Sequence, residues 1–177
     1  MLRKLECSYI ISKFEKHLDL KHEVLNLIKQ TAQKEIILPS AEVNITTSDW
    51  NFATDRQRRW VNYLFKDLMD HMLEGYKELG FDSFKLHEIW FQQYQQNSQH
   101  GWHIHGSNFT NVYYLELPHN TPKTELITPY DKQIISLDVS EGDTVIFPSF
   151  VLHRAPPNKS INRKTIVSFN TDIEYSD

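Results

Sequence analysis

Apolar residues recur along this chain with two different periods, and the change of period divides it. In the first half they fall every three or four positions. Leu20, Val24, Leu25 and Ile28 form one such stripe behind Asp19 or a neighbour as cap, and Pro39 closes the segment that follows. Val61, Leu64, Phe65, Leu68, Met72, Tyr76 and Leu79 predict a second, longer helix. It should begin near Thr54 or Asp55 and stop at Gly80, with Arg58, Lys66 and Asp67 off the stripe. From Phe84 onward the period is two. Val112, Tyr114 and Glu116 alternate with Tyr113, Leu115 and Leu117, and Ile135, Leu137 and Val139 alternate with Ser136 and Asp138. In the last run Arg163, Thr165, Val167 and Phe169 share one face, opposite Ile166, Ser168 and Asn170. Pro118-His119-Asn120, Pro129-Tyr130-Asp131, Glu141-Gly142-Asp143 and Pro156-Pro157-Asn158 read as turns between the runs. The pattern predicts a mainly β protein, an antiparallel sandwich or jelly roll with N-terminal helices packed on one outer face. It reads as a single domain over 1–177, with a helical support region at 1–83 and a strand-rich core at 84–177.

Composition narrows the function classes. A chain of 177 residues, 40% of them hydrophobic, can bury one sizeable core. A net charge of -4 gives no reason to expect nucleic acid as a partner. Arg56, Arg58 and Arg59 are expected to be a solvated helix face. Cys7 is the only cysteine, which removes intrachain disulfides, zinc fingers and redox pairs from consideration. Nothing from Met1 to Lys4 and on into Glu6 resembles a signal peptide, and no run approaches a membrane span. The expected location is the cytoplasm.

Nine histidines carry the candidate chemistry. His17, His22 and His71 fall on predicted helices among charged residues and are expected to be solvated; His87 and His119 suit structural roles. His103 and His105 flank Ile104, so on an extended strand both imidazoles project to one side, as two ligands of a metal would. His100, three positions earlier, would lie on the opposite face and outside a ligand set. His153 follows Gly142 to Leu152, which reads as a turn, an apolar strand, a break at Pro148 and a return strand. An imidazole there needs a hydrogen bond or a metal. Arg163, ten positions after His153, shares its face with Thr165, and its fork suits a carboxylate. Taken alone, Arg163 is more simply paired with an Asp or Glu of the chain, or reaches solvent at a strand end.

The order His-x-His, distal His, Arg resembles the Fe(II)- and 2-oxoglutarate-dependent oxygenases, whose pattern is His-x-Asp/Glu, a distal His and a late Arg. It is most similar to a branch of short oxygenases, many from phages and marine bacteria, with a His-x-His before a Val-Tyr-Tyr strand. The matching stretches here are Ile89 to Tyr94, His103 to His105, Val112 to Leu115, Gly142 to Pro148, His153, and Arg163 to Asn170. The resemblance covers about residues 84–173. It implies a double-stranded β-helix (jelly roll) holding one Fe(II) by His103, His105 and His153, with His105 standing where most members have Asp or Glu. It further implies 2-oxoglutarate bound by Arg163 and Thr165 with help from Tyr94 or Tyr114, dioxygen as oxidant, and ascorbate as a supporting reductant. Trp102, Tyr113 and Tyr114 would line the cavity. The primary substrate, a protein side chain or a small molecule, is not named by it; a phage-encoded enzyme would work in the host cytoplasm. Two rivals stand beside this reading. A cupin-type metal enzyme would need a Glu where Phe109 and Thr110 stand. A non-catalytic jelly-roll binding module would explain the missing carboxylate at His105.

Overall fold

The long amphipathic stripe does form a helix, and the sheet beneath it draws strands from both halves of the chain. The computed structural model describes residues 3, 7–31, 34–36 and 43–174; Pro39, the expected end of the first helical segment, lies outside them. The elements run β1 (Ile10–Lys13), α1 (His17–Gln30), β2 (Lys34–Ile36), β3 (Val43–Ser48), a 3-10 turn (Trp50–Phe52), α2 (Arg59–Glu78) and β4 (Phe84–Tyr94). Then come β5 (Gln99–His103), β6 (Phe109–Glu116), β7 (Glu125–Ile127), β8 (Ile134–Ser136), β9 (Asp143–Pro148), β10 (His153–Ala155) and β11 (Lys164–Ile173). The front region is therefore not purely helical. Its β1 pairs with β9, and its β3 bridges β4 and β5. No helix among the described residues is long and apolar enough to cross a membrane.

All strand pairings are antiparallel, in the order β1-β9-β6-β11-β4-β3-β5-β10-β7-β8, with β2 added at β3. The ribbon curls, so that β5, β10 and β7 face β9, β6, β11 and β4. One core fills that interior: Tyr94, Val112, Tyr114, Leu126, Val145, Phe147, Ala155 and Ile166. A second core lies outside, where Val61, Leu64, Leu68, Met72 and Tyr76 of α2 meet Leu86, Ile89, Phe91, Val167 and Phe169 of the sheet. This is the mainly β jelly roll with helices on one outer face that the periodicities predict.

Helix α2 starts at Arg59 rather than at Thr54 or Asp55. The reason is a buried ion pair. Asp49 is 2% exposed and holds the guanidinium of Arg58, accepts the Trp60 indole N–H at 2.8 Å, and accepts the Phe91 backbone N–H at 2.9 Å. One carboxylate thus ties the residues before α2, α2 itself and β4 together, and the chain up to Arg58 is held in turns. Arg58 is not on a solvated face. Burial pushes the Asp49 carboxyl upward while the Arg58 charge and the hydrogen bonds pull it down.

His17 and His71 also depart from expectation. His17 is 3% exposed, with Nδ1 bonded to the Tyr113 hydroxyl at 2.7 Å and Nε2 at 3.4 Å from Glu141. His71 is half-buried and bonds Ser12 and Thr144 through Nε2. Both imidazoles link the outer elements to the sheet; His22 alone of the three is exposed. Beside His17, Gly142 turns the chain with φ +87°, and a Cβ there would stand 2.8 Å from the His17 ring. Gly142→Ala should therefore combine left-handed strain with a clash against a ring held at both nitrogens, costing about 2 kcal/mol or more. Urea denaturation measures it, and a loss under about 0.5 kcal/mol would show that the ring yields.

Candidate metal centre

The sheet's return at β10 sets His153 directly opposite His103 on β5. His105 leaves the strand, but its backbone N–H is held by the Ser149 carbonyl at 3.1 Å, in the turn leading to β10. Ile104, between the two histidines, is 56% exposed, so the alternation expected of His-x-His survives past the strand end. One potential ligand nitrogen from each of His103, His105 and His153 lies within 4.8 Å of the others.

The neighbours of two of these rings settle which nitrogen is free. His103 Nδ1 is 2.7 Å from the Gly101 carbonyl and His153 Nδ1 is 2.9 Å from the Val151 carbonyl. A carbonyl only accepts, so each Nδ1 carries the proton and each Nε2 presents a bare lone pair. His105 has no carbonyl partner; its Nδ1 lies 3.5 Å from the Asn170 amide nitrogen. Burial first, then the neighbouring imidazoles, keeps the cluster neutral. His153 is pushed down to about 3, His105 to about 4, and His103 lies below its ordinary 6.5. Three converging neutral imidazoles, two with pre-set tautomers, are a donor set that fits a divalent transition metal.

His100 is not on the opposite face. A bulge separates the pairs His103–His153 and His100–Ala155, and that irregularity flips the parity of the strand. His100 consequently stacks on His103, with ring centroids 3.8 Å apart, and stays outside the three-nitrogen cluster. The cavity at these rings is also lined by Trp90, Gln92, Tyr94, Val112 and Ile166. Its free volume is about 30 Å³. Trp90 Nε1 is buried there without a hydrogen-bond partner among the described residues.

The structure does not bring Arg163 and Thr165 to this cavity. Thr165, Val167 and Phe169 do share a face, but that face looks toward the helices; Lys164, Ile166, Ser168 and Asn170 look inward. Arg163 is exposed and grips Glu116 with Nε at 3.0 Å and Nη2 at 2.9 Å, and Thr165 bonds the same carboxylate. The interior cation is Lys164, which sequence reasoning passed over. It is 1% exposed, donates to the Pro122 carbonyl at 2.9 Å, and sits 4.8 Å from the Tyr94 ring centroid. No carboxylate pairs with it among the described residues, and burial pushes it down to about 7. Its signal was its place one residue from Arg163, on the other side of the strand.

Of the aromatic residues, Tyr94 lines the cavity and donates to Gln92 at 3.1 Å. Tyr114 is fully buried in the interior core and donates to Thr124, itself a lining residue, at 2.7 Å. Tyr113 packs in the outer core. Trp102 stands in an adjoining groove under the Arg154 guanidinium, 4.5 Å away.

No protein-family model matches the chain, and none of the curated proteins does. Its fold does have known counterparts. It is similar to a prolyl-4-hydroxylase from Pseudomonas putida, with TM-score 0.68 at 14% identity over 95% of this chain and 94% of that one. It is also similar to an oxidoreductase of the 2OG-Fe(II) oxygenase family from Burkholderia pseudomallei, with TM-score 0.72 at 10% identity over 93% and 84%. The viral collagen prolyl hydroxylase of Paramecium Bursaria Chlorella virus-1, solved as a 2OG complex, gives TM-score 0.62 at 17% identity over 92% and 94%. At these identities the likeness is one of fold, a jelly roll shared with 2-oxoglutarate oxygenases.

The lowered imidazole pKa values fix a pH dependence. Between 6.5 and about 4, the unfolded chain takes up protons at His100, His105 and His153 that the folded cavity refuses. Unfolding is then coupled to proton uptake, so the stability of the metal-free protein should fall as pH drops through that window. Urea midpoints compared between about pH 7 and about pH 5 measure it, and an unchanged midpoint would contradict the burial of these rings.

Proposed function

We propose that this chain is an Fe(II)- and 2-oxoglutarate-dependent oxygenase in which His103, His105 and His153 hold the metal and Lys164 anchors the far carboxylate of 2-oxoglutarate. The observation that carries the reading is the pairing of two unlike sites in one interior. Neutral imidazoles converge at its mouth, and a lysine with no carboxylate partner among the described residues is buried against Tyr94. A buried cation without an anion is costly, and an incoming carboxylate relieves it. This gives Lys164 the role that the family resemblance implies for Arg163, which is already matched by Glu116.

When bound, iron supplies the site at which dioxygen oxidises 2-oxoglutarate to succinate and carbon dioxide while the primary substrate is oxidised. The chain's own residues do the rest. Lys164 holds the co-substrate's far end, and Tyr94, with its hydroxyl fixed on Gln92, walls that end off. Trp90, Val112 and Ile166 keep the cavity apolar and exclude water. The substrate, a protein side chain or a small molecule, enters from the open mouth. On this reading the His-x-His motif aligns the chain with the short oxygenases of phages and marine bacteria, and a neutral ligand replaces the usual carboxylate.

The test is succinate formation from 2-oxoglutarate by the Fe(II)-loaded protein with ascorbate, together with metal content. His103→Ala and His153→Ala should each abolish stoichiometric metal binding. Protein that neither retains metal nor forms succinate would leave only a binding module. Lys164→Ala should raise the half-saturating 2-oxoglutarate concentration about 30-fold or more, the equivalent of about 2 kcal/mol for a buried charge partner. Arg163→Ala should change it less than about twofold, as befits an exposed pair. The reverse ranking would return the anchor to Arg163.

A further inference from the structure

We propose that Asn170 is a positioning residue for the third metal ligand, its amide selecting which nitrogen of His105 is free to bind. The inference rests on the three-histidine centre proposed above. Two of the three rings have their tautomer set by a backbone carbonyl two residues upstream: Gly101 for His103 and Val151 for His153. His105 has none. What stands beside its Nδ1 is the side chain of Asn170 on β11, 3% exposed and inward-facing.

The amide is half satisfied. Its Nδ2 lies 3.1 Å from Glu88 Oε2 and 3.5 Å from His105 Nδ1, while its Oδ1 is buried without a hydrogen-bond partner among the described residues. An amide N–H can only donate, so in this arrangement His105 Nδ1 accepts and the proton of the neutral ring sits on Nε2. With Nδ1 held against Asn170, Nε2 is the nitrogen left for a metal, and in this tautomer it carries the proton. Metal binding at Nε2 moves the proton to Nδ1, and an Nδ1–H needs an acceptor. The unpartnered Oδ1 of the same side chain is that acceptor. A half-turn of the amide exchanges its two ends at nearly unchanged shape. Glu88, half-buried on the neighbouring strand, then returns its oxygen to water. Asn170 thus does for His105 what the two carbonyls do for the other rings, but only after it turns over.

Titration with Co(II), followed by its visible absorption, tests this in wild type, Asn170→Ala and Asn170→Asp, with Asn170→Ala repeated in a His105→Asp background. Asn170→Ala should weaken Co(II) binding about 10- to 100-fold, the usual consequence of removing a ligand's hydrogen-bond partner. Asn170→Asp, whose carboxylate can only accept, should bind at least as tightly as wild type. With His105→Asp no imidazole tautomer remains to be set, so Asn170→Ala should then cost less than about twofold. Equal losses in both backgrounds would make Asn170 merely structural, and wild-type affinity in Asn170→Ala would remove its role altogether. A wild-type protein that binds no Co(II) would instead overturn the centre itself.

Discussion

The antiparallel pairing of β5 with β10 is the contact on which this site depends. It sets His103 against His153 across fifty residues of chain, in a layer that faces the larger sheet. Its register is irregular, and the irregularity matters chemically. A bulge between the His103 and Ala155 pairs turns His100 to the same side as His103, so four imidazoles crowd one cavity and three of them converge. A one-residue change of register would send alternate side chains to the other face.

The second constraint is charge. The cavity at the histidines is lined by neutral rings with no carboxylate among its lining residues, and Glu88 shares the Asn170 amide with His105. Lys164 is buried at the other end of the same interior with a carbonyl and an aromatic face for company. Outside the sheet the opposite solution appears. Asp49 and Arg58 are buried as a matched pair, with further hydrogen bonds to Trp60 and Phe91, and they serve packing. The contrast is between a buried charge matched by an acid and a buried lysine with no carboxylate partner among the described residues.

Much of this is legible in the sequence alone. The two periods located both helices and the principal strands, because burying one face of a helix or strand imposes its spacing on the sequence. His-x-His with Ile104 pointing outward was readable for the same reason, and so was the unusual setting of His153 behind an apolar run and a proline. Thr165, Val167 and Phe169 share one face of β11, as their alternation predicts.

Which face was inward could not be read, since both faces of β11 are buried: one beneath the helices, one inside the curled sheet. Alternation assigns residues to faces but does not name what each face meets, and that ambiguity hid the fact that Lys164 is buried while Arg163 is exposed. The burial of His17 and Arg58 and the turning of His100 were hidden likewise, because each rests on a partner far along the chain or on a bulge without a sequence signature. The amino-acid order by itself determined the elements, the fold class and the identity of three candidate ligands, since those follow from local periodicity and side-chain chemistry. Only the tertiary structure decided which cation lies inside and which amide attends His105, because those are contacts between strands whose register no local pattern records.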